Sequence, residues 1–204
     1  RHMESGAVNE VARVASAGSA VVNAGDGRNA HPTQGLLDML TIRQHKGEDF
    51  SRLAVAIVGD VRHSRVARSD LHGLRALGAA DIRIAAPPAL LPGPDVTDGA
   101  RVCGDVESAL EGADVVMTLR LQRERMEEGV IASLEGYYRD WGITPARLQR
   151  AKPDAIVMHP GPMNRGVEID DAVADGRQSV ILQQVANGVA VRMAVLEALG
   201  GSAG

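Results

Sequence analysis

The unbroken apolar run Leu53-Ala54-Val55-Ala56-Ile57-Val58, closed by Gly59-Asp60, sets the architecture of this 204-residue chain. A strand with one wet face alternates apolar and polar residues. A run that is apolar at every position is the pattern of a parallel strand covered on both faces. Ser64 follows as a candidate N-cap, and Val66, Leu71, Leu74 and Leu77 then carry a helix that Gly78 stops. Asp81 to Ala86 reads as a second strand. Pro87 to Gly99, with Pro87, Pro88, Pro92 and Pro94, reads as an extended loop. A short strand from Val102, a short helix over Val106–Leu110 and a buried strand over Ala113–Met117 continue the pattern. Residues 129–150 predict helical pieces broken at Gly142 and Pro145, and Ala155–Met158 a further strand. Strands alternating with helices over 46–178 predict an α/β fold with a doubly wound parallel sheet.

On either side of this domain the strand pattern is missing. Residues 5–17 predict a helix, with Ala7, Val8, Val11, Ala12 and Ala15 at helical spacing. A Gly-rich loop, Asn23 to Ala30, leads into His31-Pro32-Thr33-Gln34, which opens a helix ending around Gly47. Pro32 suits a first turn because its missing N–H has no helical partner to lose. Leu36, Leu37, Leu40 and Ile42 lie near one face of that helix. A last helix spans about Ser179 to Leu199, with Ile181, Val185, Val189 and Met193 in register. The end segments therefore read as helical parts of a separate region.

Composition narrows the function classes. Hydrophobic residues at 45% support a packed core, and aromatics at 2% mean that Ala, Val, Leu, Ile and Met build it. A net charge of −4 gives no basic footprint for nucleic acid. Cys103 is the single cysteine, which excludes an internal disulfide and a cysteine-cluster metal site. No apolar run approaches the ~20 residues of a membrane span, and no signal peptide or basic tract appears. The expectation is a cytoplasmic protein without a membrane partner.

Ligands of open parallel sheets sit beyond the C-terminal ends of the strands. The loops there are Gly59 to Arg65, Thr118 to Arg125, and His159-Pro160-Gly161-Pro162-Met163-Asn164-Arg165. Two of them are rich in arginine, whose guanidinium binds carboxylate or phosphate through paired hydrogen bonds. Each arginine alone reads more often as a solvated surface residue, and two Arg-bearing loops at neighbouring strand ends bring the two readings level. The start of the helix at His31 is a second polar cluster with free N–H groups. These residues predict an α/β protein that binds a small anion, and nothing finer.

Several segments, in order and in step, resemble the aspartate/ornithine carbamoyltransferase family. They are Asn23-Ala24-Gly25-Asp26-Gly27, His31-Pro32-Thr33-Gln34, Val58-Gly59-Asp60 with Ser64-Arg65, Arg120-Leu121-Gln122-Arg123-Glu124-Arg125, His159-Pro160-Gly161-Pro162, and Gln184-Val185-Ala186-Asn187-Gly188-Val189. Any one is weak, and together they are specific. The ornithine branch carries His-Cys-Leu-Pro where this chain has His159 to Pro162, and Cys where it has Thr33, so the chain is more similar to the aspartate branch. The Gly161 form of the loop is similar to one bacterial group.

The resemblance implies carbamoyl transfer from carbamoyl phosphate to the amine of L-aspartate, with no metal or organic cofactor. It implies that Arg1 contacts carbamoyl phosphate, that His31 hydrogen-bonds the carbamoyl carbonyl oxygen, and that Gln34 holds its amide nitrogen. Arg65 would bind the α-carboxylate of aspartate, Arg120 its side-chain carboxylate, and Gln122 would orient the amine. Gly161 and Pro162 would present backbone carbonyls to the carbamoyl group. Residues 1–45 would be a remnant of the carbamoyl-phosphate domain, 46–178 the aspartate domain, and 179–204 a helix packing back on the first domain. The family's Ser-Thr-Arg-Thr phosphate loop, and the Ser…Lys loop lent by a neighbouring subunit, are not found in these residues. Weak carbamoyl-phosphate binding and negligible turnover are therefore expected of the 204 residues alone. Ile181, Val185 and Met193 are expected to lack part of their packing partner. Family members form homotrimers with shared sites, some with a regulatory or dihydroorotase-like subunit. A non-catalytic binding or scaffold relative, and a carbamoyltransferase for another amino acid, stay open. A dinucleotide-binding protein is disfavoured because the loop after Val58 has no Gly-x-Gly-x-x-Gly.

Overall fold

A computed structural model describes residues 1–126 and 129–201; the end of the expected last segment, 202–204, lies outside the described residues. Its centre is a five-stranded parallel sheet in the order β3-β2-β1-β4-β5. The strands are β1 Ala54–Gly59, β2 Asp81–Ala85, β3 Arg101–Cys103, β4 Val115–Leu119 and β5 Ile156–Met158. The helices are α1 Ala7–Val14, α2 Pro32–Lys46, α3 Arg65–Ala76, α4 Pro94–Thr97, α5 Val106–Leu110, α6 Leu134–Trp141, α7 Pro145–Leu148, α8 Asp171–Ala174 and α9 Ile181–Gly200.

The apolar run at Leu53 works as its pattern requires. Successive side chains of a strand point to opposite faces. Val55 and Ile57 join one core with Leu71 and Leu74 of α3, while Ala56 and Val58 join another with Val106 and Leu110 of α5. Every residue of β1 and β4 is buried. The chain runs outward from β1 through β2 to β3, then returns to place β4 on β1's other edge. That reversal puts the ends of β1 and β4 side by side, with Gly59 opposite Leu119, where a crevice forms.

Local chemistry sets several boundaries. Ser64 caps α3, its hydroxyl accepting from Ala67 N–H at 3.1 Å. Asp105 caps α5 by accepting from Ser108 N–H at 2.7 Å, and Thr144 caps α7. The breaks expected at Gly142 and Pro145 separate α6 from α7.

Four expectations need correction. The stretch Pro87 to Gly99 is not simply extended: Pro88–Leu90 forms a 3₁₀ turn and Pro94–Thr97 a short helix, because proline's fixed φ also suits a first helical turn. The first helix is shorter than 5–17, and none of its residues is buried. Leu36 is 52% exposed, whereas the buried face of α2 includes Thr33, Gln34, Asp38 and Thr41. Ile181 keeps its partners: it is 4% exposed, in the core beneath β5. Val185, Val189 and Met193, farther along α9, are exposed.

Helices α2 and α9 lie together, and hydrogen bonds join them. Asn187 Nδ2 donates to Thr41 Oγ1 at 2.9 Å and to Gln44 Oε1 at 2.8 Å. Gln184 Nε2 donates to Asp38 Oδ1 at 2.6 Å. Among the described residues no helix is long and apolar enough to cross a membrane, and no cluster of side chains has the makings of a metal site.

Candidate anion-binding site

The loops after β1, β4 and β5 meet the start of α2 around a cavity of about 300 Å³. Arg1, His31, Gln34, Arg65, Arg120, Gln122, Gly161 and Pro162, all the residues predicted for the site, line it. Ser64, Val66, Arg125 and Pro160 complete the wall. The cavity adjoins a wider cleft of about 1160 Å³, and Arg1, Arg65 and Arg125 border both.

Arg65, in the first turn of α3, is 8% exposed. Among the described residues no carboxylate forms an ion pair with it or with Arg125. Burial, together with Arg1 and Arg125, pushes the Arg65 guanidinium below its ordinary pKa. A buried cation with cationic neighbours is a place that an anion stabilises. Arg125 donates to the backbone carbonyls of His63 at 3.0 Å and Gly27 at 3.5 Å, linking the β4 loop to both other segments. Arg120 is held by Glu124 in an i,i+4 ion pair.

His31 stands just before α2, its backbone N–H donating to Ser69 Oγ at 2.9 Å. Its Nδ1 is buried and has no hydrogen-bond partner among the described residues. Burial first, then Arg65, Arg192 and Arg1, lower its pKa to about 4. The imidazole is therefore neutral at pH 7 and can donate one hydrogen bond to a carbonyl oxygen without being a proton source.

Two buried acids hold the loops. Asp60 is fully buried; its Oδ1 bonds His63 Nδ1 at 2.8 Å, and its Oδ2 accepts from Gln122 N–H at 3.2 Å. Burial raises its pKa against the opposing pull of His63. Glu168, 1% exposed, gathers the other side. Its carboxylate accepts from Asn164 N–H at 2.5 Å and Leu121 N–H at 3.5 Å, and bonds His159 Nε2 at 3.2 Å. His159 Nδ1 accepts from Gly161 N–H at 2.8 Å, which leaves the ring proton on Nε2, facing Glu168. Gly161 has φ +66, and the Gly161–Pro162 peptide is cis. At the other end of the site, residue 2 pairs with the Gly-rich loop through His2 N–H to Gly25 O at 2.9 Å and Gly27 N–H to His2 O at 3.1 Å.

Sequence reasoning did not single out Asp60, Glu168, Asp38 or Gln184 as parts of this site. The only signal was a polar residue inside a motif or an otherwise apolar stretch, and its partner lies far away in sequence. Arg125 stood in a quoted motif without a role, and Ser64 was read only as a helix cap.

The family model described as aspartate/ornithine carbamoyltransferase, Asp/Orn binding domain, matches residues 51–199. The companion carbamoyl-P binding domain matches residues 1–44. The aspartate carbamoyltransferase catalytic subunit of Xanthomonas campestris pv. campestris (strain B100) is 66% identical over 98% of this chain and 63% of its own length. That of Stenotrophomonas maltophilia (strain R551-3) is 62% identical over the same shares. The chain thus spans about 63% of the length of these relatives. Aspartate transcarbamoylase from Trypanosoma cruzi, in complex with N-(phosphonacetyl)-L-aspartic acid, superposes with TM-score 0.82 at 31% identity, over 96% of this chain and 63% of that one. Ornithine carbamoyltransferase from Thermus thermophilus gives TM-score 0.80 at 27% identity, over 94% and 62%.

Proposed function

Because the chain belongs to the aspartate/ornithine carbamoyltransferase family, we propose that it serves transfer of the carbamoyl group of carbamoyl phosphate to L-aspartate, giving N-carbamoyl-L-aspartate and phosphate. One observation carries this reading: every residue expected to touch the two substrates lines a single cavity with Arg1, Arg65, Arg120 and Arg125 in its wall. Relatives named for the aspartate reaction, and the Trypanosoma cruzi enzyme's complexes with carbamoyl phosphate and with aspartate, support it.

In this reading Arg65 and Arg120 take the two carboxylates of aspartate, and Gln122 directs its amine. A dicarboxylate suits four arginines better than ornithine does, because the ornithine side chain is itself cationic. Neutral His31 donates to the carbamoyl oxygen, where negative charge develops as the amine adds to the carbonyl carbon. Gln34 and the carbonyls of Gly161 and Pro162 receive the carbamoyl N–H groups. The C–O bond to phosphate then breaks, and the amine proton leaves with the phosphate. Arg1 draws the phosphate end towards the wider cleft. The protein's contribution is to bring two anions together and to stabilise the tetrahedral oxyanion.

Residues 1–45 belong in this proposal to the carbamoyl-phosphate side, 46–178 to the aspartate domain, and 179–204 to a helix returning to the first. A cytoplasmic homotrimer with shared sites, alone or with a regulatory or dihydroorotase-like subunit, is part of the same proposal, and the mass of the native assembly tests it. The decisive assay is carbamoylaspartate formation by the native protein, with L-ornithine as the rival acceptor. Turnover of ornithine in preference to aspartate, or of neither, overturns the proposal.

A further inference from the structure

Besides Asp60, two further carboxyl groups lie wholly inside the protein, Asp38 on α2 and Asp70 on α3, and neither lines the cavity. Asp38 Oδ1 accepts two side-chain amides, Gln34 Nε2 at 3.1 Å and Gln184 Nε2 at 2.6 Å. Gln184 Oε1 in turn accepts from His159 N–H at 2.9 Å. One carboxylate therefore ties together the helix that bears Gln34 and the loop that bears Gly161 and Pro162.

The remaining oxygens explain why two acids stand here. Asp38 Oδ2 and both oxygens of Asp70 meet no N–H or O–H donor from another described residue. Two facing carboxylates without a bound cation do not both ionise; one proton between them joins an oxygen of Asp70 to Asp38 Oδ2 and leaves one charge. Burial and the neighbouring Asp38 raise Asp70 well above the usual carboxylate range, so Asp70 keeps the proton. Asp38 then remains an acceptor. A carboxylate accepts and cannot donate, so it selects the amide ends of Gln34 and Gln184. With Nε2 of Gln34 spent on Asp38, Oε1 is the end left for the cavity.

We propose that Asp38, proton-paired with Asp70, is a positioning residue: it locks Gln34 with Oε1 towards the cavity and steadies the His159–Pro162 loop through Gln184. An acceptor at that point receives the carbamoyl –NH₂, a step that rests on the carbamoyl-transfer reading. Asp38 and Asp70 act through Gln34 and Gln184 and touch no substrate.

The test compares three forms of the native protein: wild type, Asp38→Leu/Asp70→Leu, and Asp70→Asn. The double leucine variant keeps the volume apolar, and such replacements of buried charge commonly fold. Asparagine at position 70 still donates to Asp38. The readouts are the Gln34 side-chain amide resonance, its hydrogen exchange, and kcat/KM for carbamoyl phosphate. The double variant is expected to lose the protected Gln34 signal. Its kcat/KM should fall about 10- to 100-fold, the range for losing a hydrogen bond to a charged group. Asp70→Asn is expected to keep both. A folded double variant with a wild-type Gln34 signal overturns the proposal, as does loss of that signal in Asp70→Asn. If the double variant does not fold, Asp38→Ala, which removes the acceptor, decides, and an unchanged Gln34 signal in it overturns the proposal. If the wild type forms no carbamoylaspartate, the carbamoyl-transfer reading fails, while the Gln34 signals still decide the anchoring.

Discussion

The guanidinium of Arg65 packs against the backbone of Gly25: a β-carbon built on Gly25 would stand 2.7 Å from Arg65 Cζ and Nη1. The Gly-rich loop before α2 is therefore the wall against which the candidate aspartate-binding arginine rests. Gly25 also holds φ +133, which L side chains rarely adopt. Gly25→Ala should cost about 1–3 kcal/mol of stability through the backbone. It should also displace the Arg65 fork and raise the KM for aspartate. Thermal melts and aspartate titration separate the two effects, and an unchanged KM would show that Gly25 does not set the position of Arg65.

Arg65→Lys keeps the charge and removes the planar fork. Paired hydrogen bonds to a carboxylate are lost, and the compact ammonium does not fill the volume of the guanidinium. The aspartate KM should rise at least about tenfold, the equivalent of ~1.4 kcal/mol, with a smaller change for carbamoyl phosphate. Steady-state kinetics with each substrate varied in turn checks this.

Glu168→Ala would leave His159 Nε2 and the N–H groups of Asn164 and Leu121 without their buried acceptor. Leaving a buried donor without its acceptor typically costs ~1–3 kcal/mol. Denaturant unfolding should show a loss of that order. The loops bearing Arg120 and Gly161 should exchange amide hydrogens faster than in the wild type.

Folding lowers the His31 pKa from 6.5 to about 4. Below pH 6.5 the unfolded chain binds this proton and the folded chain does not, so stability falls as pH drops from 6.5 towards 4 and levels off below. His31→Gln should flatten the stability profile in that window. Turnover by the wild type should show no protonation step of His31 between pH 6 and 8, and such a step would mean that the imidazole is charged in the site.

The Asp38–Asp70 pair has the opposite sign. Burial and the neighbouring Asp38 raise Asp70 well above the usual carboxylate range, so folding adds one bound proton to the pair. Above the unfolded carboxylate value of ~3.9 the folded chain binds more protons, so this contribution weakens stability as pH rises, until Asp70 itself ionises. Relative to the wild type, Asp38→Leu/Asp70→Leu should gain stability steadily from pH 4 to pH 7. Denaturation midpoints at several pH values give the slope, and a flat difference would mean that the pair is ionised in the folded state.

Much of the fold could be read from local pattern. A continuous apolar run such as Leu53 to Val58 has one stable environment, and Ser64 and Gly78 mark helix ends through hydrogen bonding and backbone freedom within a few residues. The site's cations were visible too, because strand ends are where parallel sheets bind ligands and Arg120 and Arg125 follow a strand. The errors came where local pattern was ambiguous. Proline-rich chain between Pro87 and Gly99 suits both an extended loop and a short helix. Leu36 sits at helical spacing with Leu37 and Leu40, yet α2 buries Gln34 and Asp38 instead.

That last inversion marks the boundary between what is local and what is not. Composition and periodicity were enough for a parallel α/β domain and for its strand-end loops, and the family resemblance carried by the ordered motifs supplied eight of the residues that line the cavity. None of these could show that Asp38 bonds Gln184, that Glu168 gathers His159, Asn164 and Leu121, or that Ile181 is covered while Val185 is not. A buried polar residue is tolerated only when partners satisfy it, and those partners come from elements far away in the chain. The tertiary structure alone brings them within hydrogen-bond distance, and with them the orientation of the groups that face the ligand.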